Sequence, residues 1–234
     1  MIRLVRVGLF VVLAALAAPI VAQDFDSGLA AAKAGDFQTA LTEWRPLAEQ
    51  GVAQAQAGLG LIYDNGYGVA EDDAEAVRWY RLAAEQGEAT AQYSLGNSYR
   101  KGEGVLKDAE EAMRWYWLAA DQGLAAAQLS LGTMYASGDG VPKDQAEAVR
   151  WFRLSAEQGH STGQVKLGFM YQFGWGVLQD FTSAHMWFNI ASANGRDVAS
   201  GRRDELESSM TREQIAEAQA RARVCMSSGY EDCD

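Results

Sequence analysis

A repeat of 36 residues is the feature that most constrains how this chain can fold. The repeat is marked by Gln or Asn followed by Gly, at Gln50-Gly51, Gln86-Gly87, Gln122-Gly123, Gln158-Gly159 and Asn194-Gly195. The spacing never changes, so four full repeats without insertion or deletion occupy residues 52–87, 88–123, 124–159 and 160–195. A fixed period of this length is typical of proteins that stack one supersecondary unit on the next.

Each repeat contains two apolar patterns that predict helices. The first places a small residue, a leucine and a tyrosine four residues apart, as in Ala55, Leu59 and Tyr63. The second uses steps of three and four, as in Ala76, Trp79, Tyr80 and Ala83. These steps put the members of each pattern on one helix face. The sequence therefore predicts an all-α protein with two helices in every repeat.

A Gly-x-Gly-Val turn separates the two helices of each repeat, beginning with Gly66-Tyr67-Gly68-Val69. Glycine pairs of this kind also occur in phosphate-binding loops. Those loops follow a strand and are completed by Lys-Ser/Thr, and neither feature is found here. We therefore interpret the glycines as the positive-φ residues that end the first helix and turn the chain.

Taken together, the motifs resemble the Sel-1-like repeat family, which is related to the tetratricopeptide repeats. The shared pattern is A-x-x-x-L-G-x-x-Y-x-x-G-x-G-V followed by D-x-x-x-A-x-x-W-[YF]-x-x-[AS]-A-x-x-G, and it covers residues 52–195 without a gap. The resemblance implies an all-α, α/α superhelical solenoid of stacked helix-turn-helix repeats. It also implies an adaptor or scaffold in protein complexes, and many bacterial members are in the cell envelope.

Both ends of the array are expected to be capped. Residues 23–51 resemble a capping half-repeat, in which Asp36 could cap the second helix. Residues 196–226 are expected to form C-terminal capping helices, followed by a tail at 227–234. The last helix should begin at the capping box Thr211-Arg212-Glu213-Gln214. Its apolar stripe is expected to consist of Ile215, Ala218, Ala222 and Val224.

The first 22 residues predict a secretory signal peptide. Arg3 and Arg6 precede an uncharged apolar run over residues 7–22, which ends in small residues. A retained membrane anchor is the alternative, although the run is shorter than the roughly 20 residues a bilayer-spanning helix needs. Cleavage after Ala22 would leave no integral membrane segment. We therefore expect a periplasmic or secreted protein.

Cys225 and Cys233 are the only cysteines of the chain. In an oxidising compartment they could form a disulfide that closes a small terminal loop. Free or intermolecular thiols at a frayed end are the alternative.

Charge and composition exclude several classes of function. Without Arg3 and Arg6 the chain has 18 basic against 31 acidic residues, a formal charge of −13, which disfavours nucleic acid as a partner. His160 and His185 are the only histidines, and neither has the neighbouring His or Cys of a metal site. We expect no cofactor, no metal and no enzyme activity. The alternative is a protein that binds or hydrolyses cell-wall material or a β-lactam.

The candidate binding surface lies on the first helix of each repeat, where positions 58, 61, 62 and 65 and their equivalents vary most. In the fourth repeat this surface becomes apolar and aromatic, a composition that favours protein binding. The candidate partner-binding residues are Met134, Lys166, Phe169, Met170, Phe173 and Trp175.

The alternative for these side chains is packing against the capping segment at 197–226. Trp117 is a second unusual residue, for which we expect a buried position under a neighbouring arginine stem. The partner is predicted to be a protein, such as the periplasmic part of a membrane sensor or an envelope-assembly protein.

Overall fold

The computed structural model describes residues 25–233, in which twelve helices and no strand are found. The predicted signal peptide at residues 1–22 lies outside the described residues. The chain divides into two compact parts at Ala91 and Gln92, here called the N-terminal and the C-terminal subdomain. No helix in the range 25–233 is long and apolar enough to cross a bilayer.

The N-terminal subdomain contains α1 (25–33), α2 (Phe37–Glu49), α3 (Ala53–Asn65) and α4 (Asp73–Glu85). Its core is centred on Trp44, which packs with Leu41, Leu59 and Ile62. The indole N–H of Trp44 donates to the Phe25 carbonyl, 3.1 Å away, and the two rings stack. The expected capping segment is therefore a helical pair. Asp36 caps α2 by accepting from the Thr39 N–H.

The C-terminal subdomain continues the same alternation of first and second helices. After α5 (Ala89–Lys101), which contains the division, it comprises α6 (Ala109–Asp121), α7 (Ala125–Ser137), α8 (Gln145–Glu157), α9 (Ser161–Phe173), α10 (Phe181–Ala193), α11 (Asp197–Glu207) and α12 (Arg212–Ser227). Consecutive helices pack against each other from α6 to α11, and α12 packs against α10. This subdomain is thus a stack of helical hairpins.

Short polar and glycine signals fix the helix boundaries. The second helix of each repeat begins after an aspartate whose side chain accepts a backbone N–H, as Asp72 does from Glu75 at 3.0 Å. Asp108, Asp144 and Asp180 do the same in the later repeats. Helix α9 is terminated by Gly174, the residue after Phe173, whose φ of 68° is left-handed. The glycines interpreted as turn residues therefore serve that purpose.

A second glycine in each repeat lets the paired helices approach closely. Gly132 lies inside α7, and a Cβ there would be 2.6 Å from Cδ1 of Phe152 on α8. The same contact recurs between Gly60 and Tyr80, Gly96 and Tyr116, and Gly168 and Phe188. Because a methyl group would collide with a buried ring, the Leu-Gly pair of the repeat is required for packing.

Paired amides explain the recurring Gln-Gly motif. The Gln158 amide donates to Oε1 of Gln128 at 2.7 Å, and Gln122 donates likewise to Gln92. Gln128 is itself buried and donates to the Ala120 carbonyl in the preceding repeat. Each amide pair thus satisfies buried polar groups where two hairpins meet. In the fourth repeat Asn194 takes the place of the second glutamine and donates to Gln164 at 2.9 Å.

Helix α12 covers α10 because the outer face of the fourth repeat is apolar. The first three repeats place a Glu–Arg ion pair on that face, such as Glu147 and Arg150, in which the arginine is exposed and the glutamate partly buried. The fourth has Ser183 and Met186 at these positions, and both are buried. Met186 packs in one cluster with Ala218 and Ala222 of α12.

The apolar stripe of α12 differs in part from the one expected. Ala218 and Ala222 are fully buried, but Val224 is 49% exposed and Cys225 is buried instead. The expectation for Val224 is wrong because a three-residue step from Ala222 leads to Cys225 on the covered face. The predicted capping box between Thr211 and Gln214 is present.

A disulfide joins Cys225 to Cys233 and closes the C-terminal loop. Within this loop the hydroxyl of Tyr230 accepts from the Asn194 amide at 2.8 Å. The segment after α12 therefore contacts the end of the fourth repeat, because the disulfide and this hydrogen bond both hold it there.

Candidate protein-binding groove

A groove of about 720 Å³ opens on the C-terminal subdomain beside α7 and α9. We call it the aromatic groove. Its lining comprises Thr133, Ala136 and Ser137 of α7, Lys143, Gln145 and Phe152 of the next turn and α8, and Lys166, Phe169, Met170, Phe173 and Trp175 of α9 and its turn. Five of the six predicted partner-binding residues thus lie around one concavity, and only Met134 is absent from its lining.

Stacked aromatic side chains form one end of the groove. The ring centroids of Phe169 and Phe173 are 6.1 Å apart, and those of Phe173 and Trp175 are 4.7 Å apart. Phe173 is 49% exposed and Trp175 is 50% exposed. Large apolar side chains that remain this accessible, and that are held by mutual stacking, are typical of protein-binding patches.

Local backbone structure places Trp175 over the groove. Helix α9 ends at Phe173 and is capped by Gly174, and the Trp175 N–H donates back to the Met170 carbonyl at 3.0 Å. The next glycine, Gly176, lies directly against the backbone of Gln145, where no side chain would fit. The Gly-x-Gly turn therefore fixes the direction in which the intervening side chain projects.

Two roles were considered for the aromatic residues, partner binding and packing against the capping segment at 197–226, and the structure shows a different environment for Phe169 than for Phe173 and Trp175. Phe169 is partly buried, with its ring edge-on to Phe188 at 5.2 Å. The Arg202 guanidinium of α11 lies 5.6 Å from the Phe169 ring centroid. Phe169 thus packs partly against the capping segment. Phe173 and Trp175 remain exposed.

The expectation that position 62 and its equivalents face outward is wrong. Met134 is 2% exposed and Met170 is 3% exposed, and Ile62 and Ser98 are buried at the same position. A step of three residues from Leu131 or Leu167 returns to the core face of the helix. Met170 therefore contributes only to the floor of the groove, and Met134 borders a separate, smaller depression.

Two lysines are the charged residues in the lining of the groove. Lys143 and Lys166 are both exposed, and within residues 25–233 neither ammonium has an ion-pair partner. Lys166 was among the predicted binding residues and Lys143 was not, because the second repeat also has a lysine at the position of Lys143, so this residue did not stand out from the repeat. In the turn, the equivalents of Lys143 are Glu71, Lys107 and Gln179.

Trp117 is not the buried residue that the sequence suggested. It is 42% exposed and meets Trp151 edge-on, with 5.6 Å between ring centroids. Arg150 lies over the Trp151 ring, 5.0 Å from its centroid. The expectation is wrong because Trp117 follows buried Tyr116 by one helical position and so points away from the core.

Neither histidine lines the groove. His185 is fully buried, and its Nε2 lies 2.9 Å from Oε1 of Glu207, which links α10 to α11. His160 caps α9, and burial together with the charge of Arg196 lowers its pKa. Among the described residues, no group of three or more His, Cys, Asp or Glu side chains could hold a metal ion.

Comparison with known sequence families identifies the repeat. The Sel1 repeat model matches residues 53–88, 89–124, 125–160 and 161–195, which is more than half of the chain. The chain belongs to the Sel1 repeat family. Proteins of this family are generally non-catalytic protein-interaction modules. No curated protein shows significant sequence similarity to the chain.

Solved structures of Sel1 repeat proteins have the same fold. A protective antigen of uropathogenic Escherichia coli with an SLR fold is 33% identical and superposes with a TM-score of 0.78, over 93% of this chain and 48% of the antigen. The chain thus spans about half the length of the antigen. A Sel1 repeat protein from Oxalobacter formigenes is 34% identical, with a TM-score of 0.71 over 77% of this chain and 74% of that one.

A third structure, from Klebsiella pneumoniae, is 23% identical with a TM-score of 0.55, covers 82% of this chain and 95% of that one, and supports the fold alone. Together these comparisons confirm the predicted family and fold class, an α/α solenoid of stacked helix-turn-helix repeats.

Proposed function

We propose that this Sel1 repeat protein is an exported adaptor that binds a protein partner in the aromatic groove. The observation that carries the proposal is the pair of half-exposed, stacked rings of Phe173 and Trp175 beside a concavity of about 720 Å³. In most interfaces a few buried aromatic side chains supply most of the binding energy. The groove offers two such side chains at its rim.

The rigidity of the cluster supports this proposal. Phe173 stacks on both Phe169 and Trp175, and Phe169 is anchored against Phe188 in the core. Side chains that are already ordered lose little conformational entropy when a partner binds. Burying them then yields most of the favourable free energy of removing apolar surface from water.

The proposed site of action is the periplasm or the exterior of the cell. The arginines and apolar run of residues 1–22 support export. A disulfide between Cys225 and Cys233 is stable in an oxidising compartment and uncommon in the cytosol. The proposed partner is the periplasmic part of a membrane sensor or an envelope-assembly protein. Export is tested by cell fractionation and by N-terminal sequencing, which should begin at Gln23.

The first prediction concerns the Phe173→Ala, Trp175→Ala double variant of residues 23–234. We expect a partner identified by mass spectrometry from an envelope extract to bind this variant at least about 100-fold more weakly, since two aromatic anchors contribute roughly 1.4 kcal/mol or more each. Titration of the purified partner measures the loss. Phe169 is left unchanged because its truncation would also disturb the core around Phe188.

Leu106→Ala is the matched control for this experiment. Leu106 is 91% exposed in the equivalent turn region of the second repeat and is absent from the lining of the groove. The substitution removes exposed apolar surface without altering the aromatic cluster, so the affinity for the partner should be unchanged. Equal affinity of the double variant and the wild type would refute the groove as the binding site.

A further inference from the structure

We infer that the segment bound in the aromatic groove is acidic: an extended stretch of a partner protein in which Asp or Glu residues flank a large apolar side chain. The inference rests on the proposed function and adds the chemistry of the ligand. It follows from the contrast between the charge of the groove and the charge of the whole chain.

The groove is positive on a strongly negative protein. The chain has a formal net charge of −11, yet the charged side chains in the lining of the groove are Lys143 and Lys166. Lys143 belongs to the third repeat and Lys166 to the fourth. At the position of Lys166 the other repeats have Gly58, Ser94 and Ser130. Packing of the repeat therefore does not require a lysine at this position.

The two ammonium groups are available to a ligand. Elsewhere in this subdomain cations pair with nearby acids, as Lys101 does with Glu103 at 2.9 Å and Arg114 with Glu111 at 2.9 Å. Lys143 and Lys166 have no such partner among the described residues. Asp139 lies on a neighbouring depression and not in the lining of this groove. A carboxylate that enters the groove therefore enters a lining whose charged side chains are both cationic.

The neutral part of the lining selects an apolar anchor next to that carboxylate. Phe152 and Met170 form a buried floor, and Phe173 and Trp175 form an exposed aromatic end. A large apolar side chain can bury itself there while the flanking backbone and acids meet Thr133, Ser137 and the lysines. A basic segment would place like charges together at the rim, which disfavours binding.

Long-range repulsion by the other acids does not cancel this preference. At physiological ionic strength the screening length is about 8 Å, so distant carboxylates act weakly on a bound peptide. Contacts inside the groove are shorter and lie beside apolar surface, where screening is less effective. The local positive charge therefore determines the charge of the peptide that binds.

The test uses display of short random peptides on the folded chain of residues 23–234. Peptides whose recovery depends on Phe173 and Trp175 should be enriched in Asp and Glu within a few positions of an aromatic or large aliphatic residue. The Lys143→Glu, Lys166→Glu variant should instead enrich Lys and Arg at those positions. For the best acidic peptide, synthesised with a fluorescent label, this variant should bind about 10-fold or more weakly, consistent with two exposed charge contacts.

Lys33→Glu with Lys107→Glu is the matched control. Both lysines are exposed and outside the groove, and the substitutions change the net charge by the same amount. The control should keep the acidic preference. Circular dichroism establishes that each variant is folded before panning.

Failure of the acidic-ligand inference and failure of the proposed function give different results. Groove-dependent peptides without an excess of acids, or an acidic preference that survives Lys143→Glu with Lys166→Glu, would overturn the inference and leave the proposed function intact. Recovery of no peptide that depends on Phe173 and Trp175 would count against both. The acidic ligand is supported if the Lys143→Glu, Lys166→Glu variant selects basic peptides while the wild type and the control variant select acidic ones.

Discussion

At the residue scale, glycine determines how closely the paired helices pack. Glycine inside a helix costs about 1 kcal/mol relative to alanine, so its recurrence at position 60 and its equivalents needs a reason. The reason is the aromatic ring of the second helix, which lies on the glycine Cα in every repeat. Close contact between ring and backbone outweighs the weaker helix propensity.

Gly132→Ala is therefore predicted to destabilise the protein. The new methyl group would meet the buried ring of Phe152, and overpacking of this kind costs about 1–3 kcal/mol. Urea unfolding followed by circular dichroism measures the change.

Gly201→Ala is the control, because Gly201 also lies within a helix but has open space around it. There the better helix propensity of alanine should stabilise the protein by about 0.5–1 kcal/mol. Stabilisation by Gly132→Ala of the same size would contradict the packing role of the glycine.

At the element scale, the packing of α12 on α10 depends on a few residues of the outer face of α10 that differ from those of the earlier second helices. An exposed ion pair on the earlier second helices contributes little stability, so its replacement by Ser183 and Met186 has a small cost. The replacement creates an apolar strip that the small residues Ala218 and Ala222 can approach. The last repeat is thereby covered by a helix instead of by another repeat.

Met186→Arg is predicted to release α12. The substitution restores the residue of the other repeats and places a guanidinium where Met186 is fully buried, without a partner acid at Ser183. We expect faster hydrogen exchange in α12 and earlier proteolysis within it. The reverse change Arg150→Met in the third repeat lies on an exposed face and should leave α12 protected.

At the scale of the whole molecule, excess negative charge opposes the folded state. The chain has 31 acidic against 20 basic residues, and several ion pairs of the described residues join neighbours on one helix whose basic side chain is exposed. Such pairs contribute little and leave the general repulsion among carboxylates uncompensated. Salt screens that repulsion.

The melting temperature should therefore rise with ionic strength. Between about 10 mM and about 150 mM sodium chloride the screening length falls from roughly 30 Å to 8 Å. We expect an increase of about 2–4 °C, which corresponds to roughly 1 kcal/mol for a chain of this size. Scanning calorimetry at constant pH measures it. A decrease would mean that the ion pairs outweigh the repulsion.

The candidate site was less predictable than the repeats. Phe173 and Trp175 were predicted as binding residues because they are apolar where the other repeats are mostly polar, and the structure places both in the lining of one groove. Met134 and Met170 were misplaced, because variation between repeats also occurs at core positions whose neighbours vary with them. Lys143 was not predicted because its place beside α9 is a tertiary contact between two repeats, which no spacing within one repeat reveals.

The 36-residue period by itself determined the class of fold. Helix-forming patterns, capping aspartates and turn glycines are local signals, and each acts through neighbours in sequence. Only the tertiary structure decided which residues share a groove. It also decided which apolar faces are covered by α12 and which are exposed to solvent. The physical reason is that burial and pairing depend on residues brought together from different helices, whereas helix formation depends on the sequence within each one.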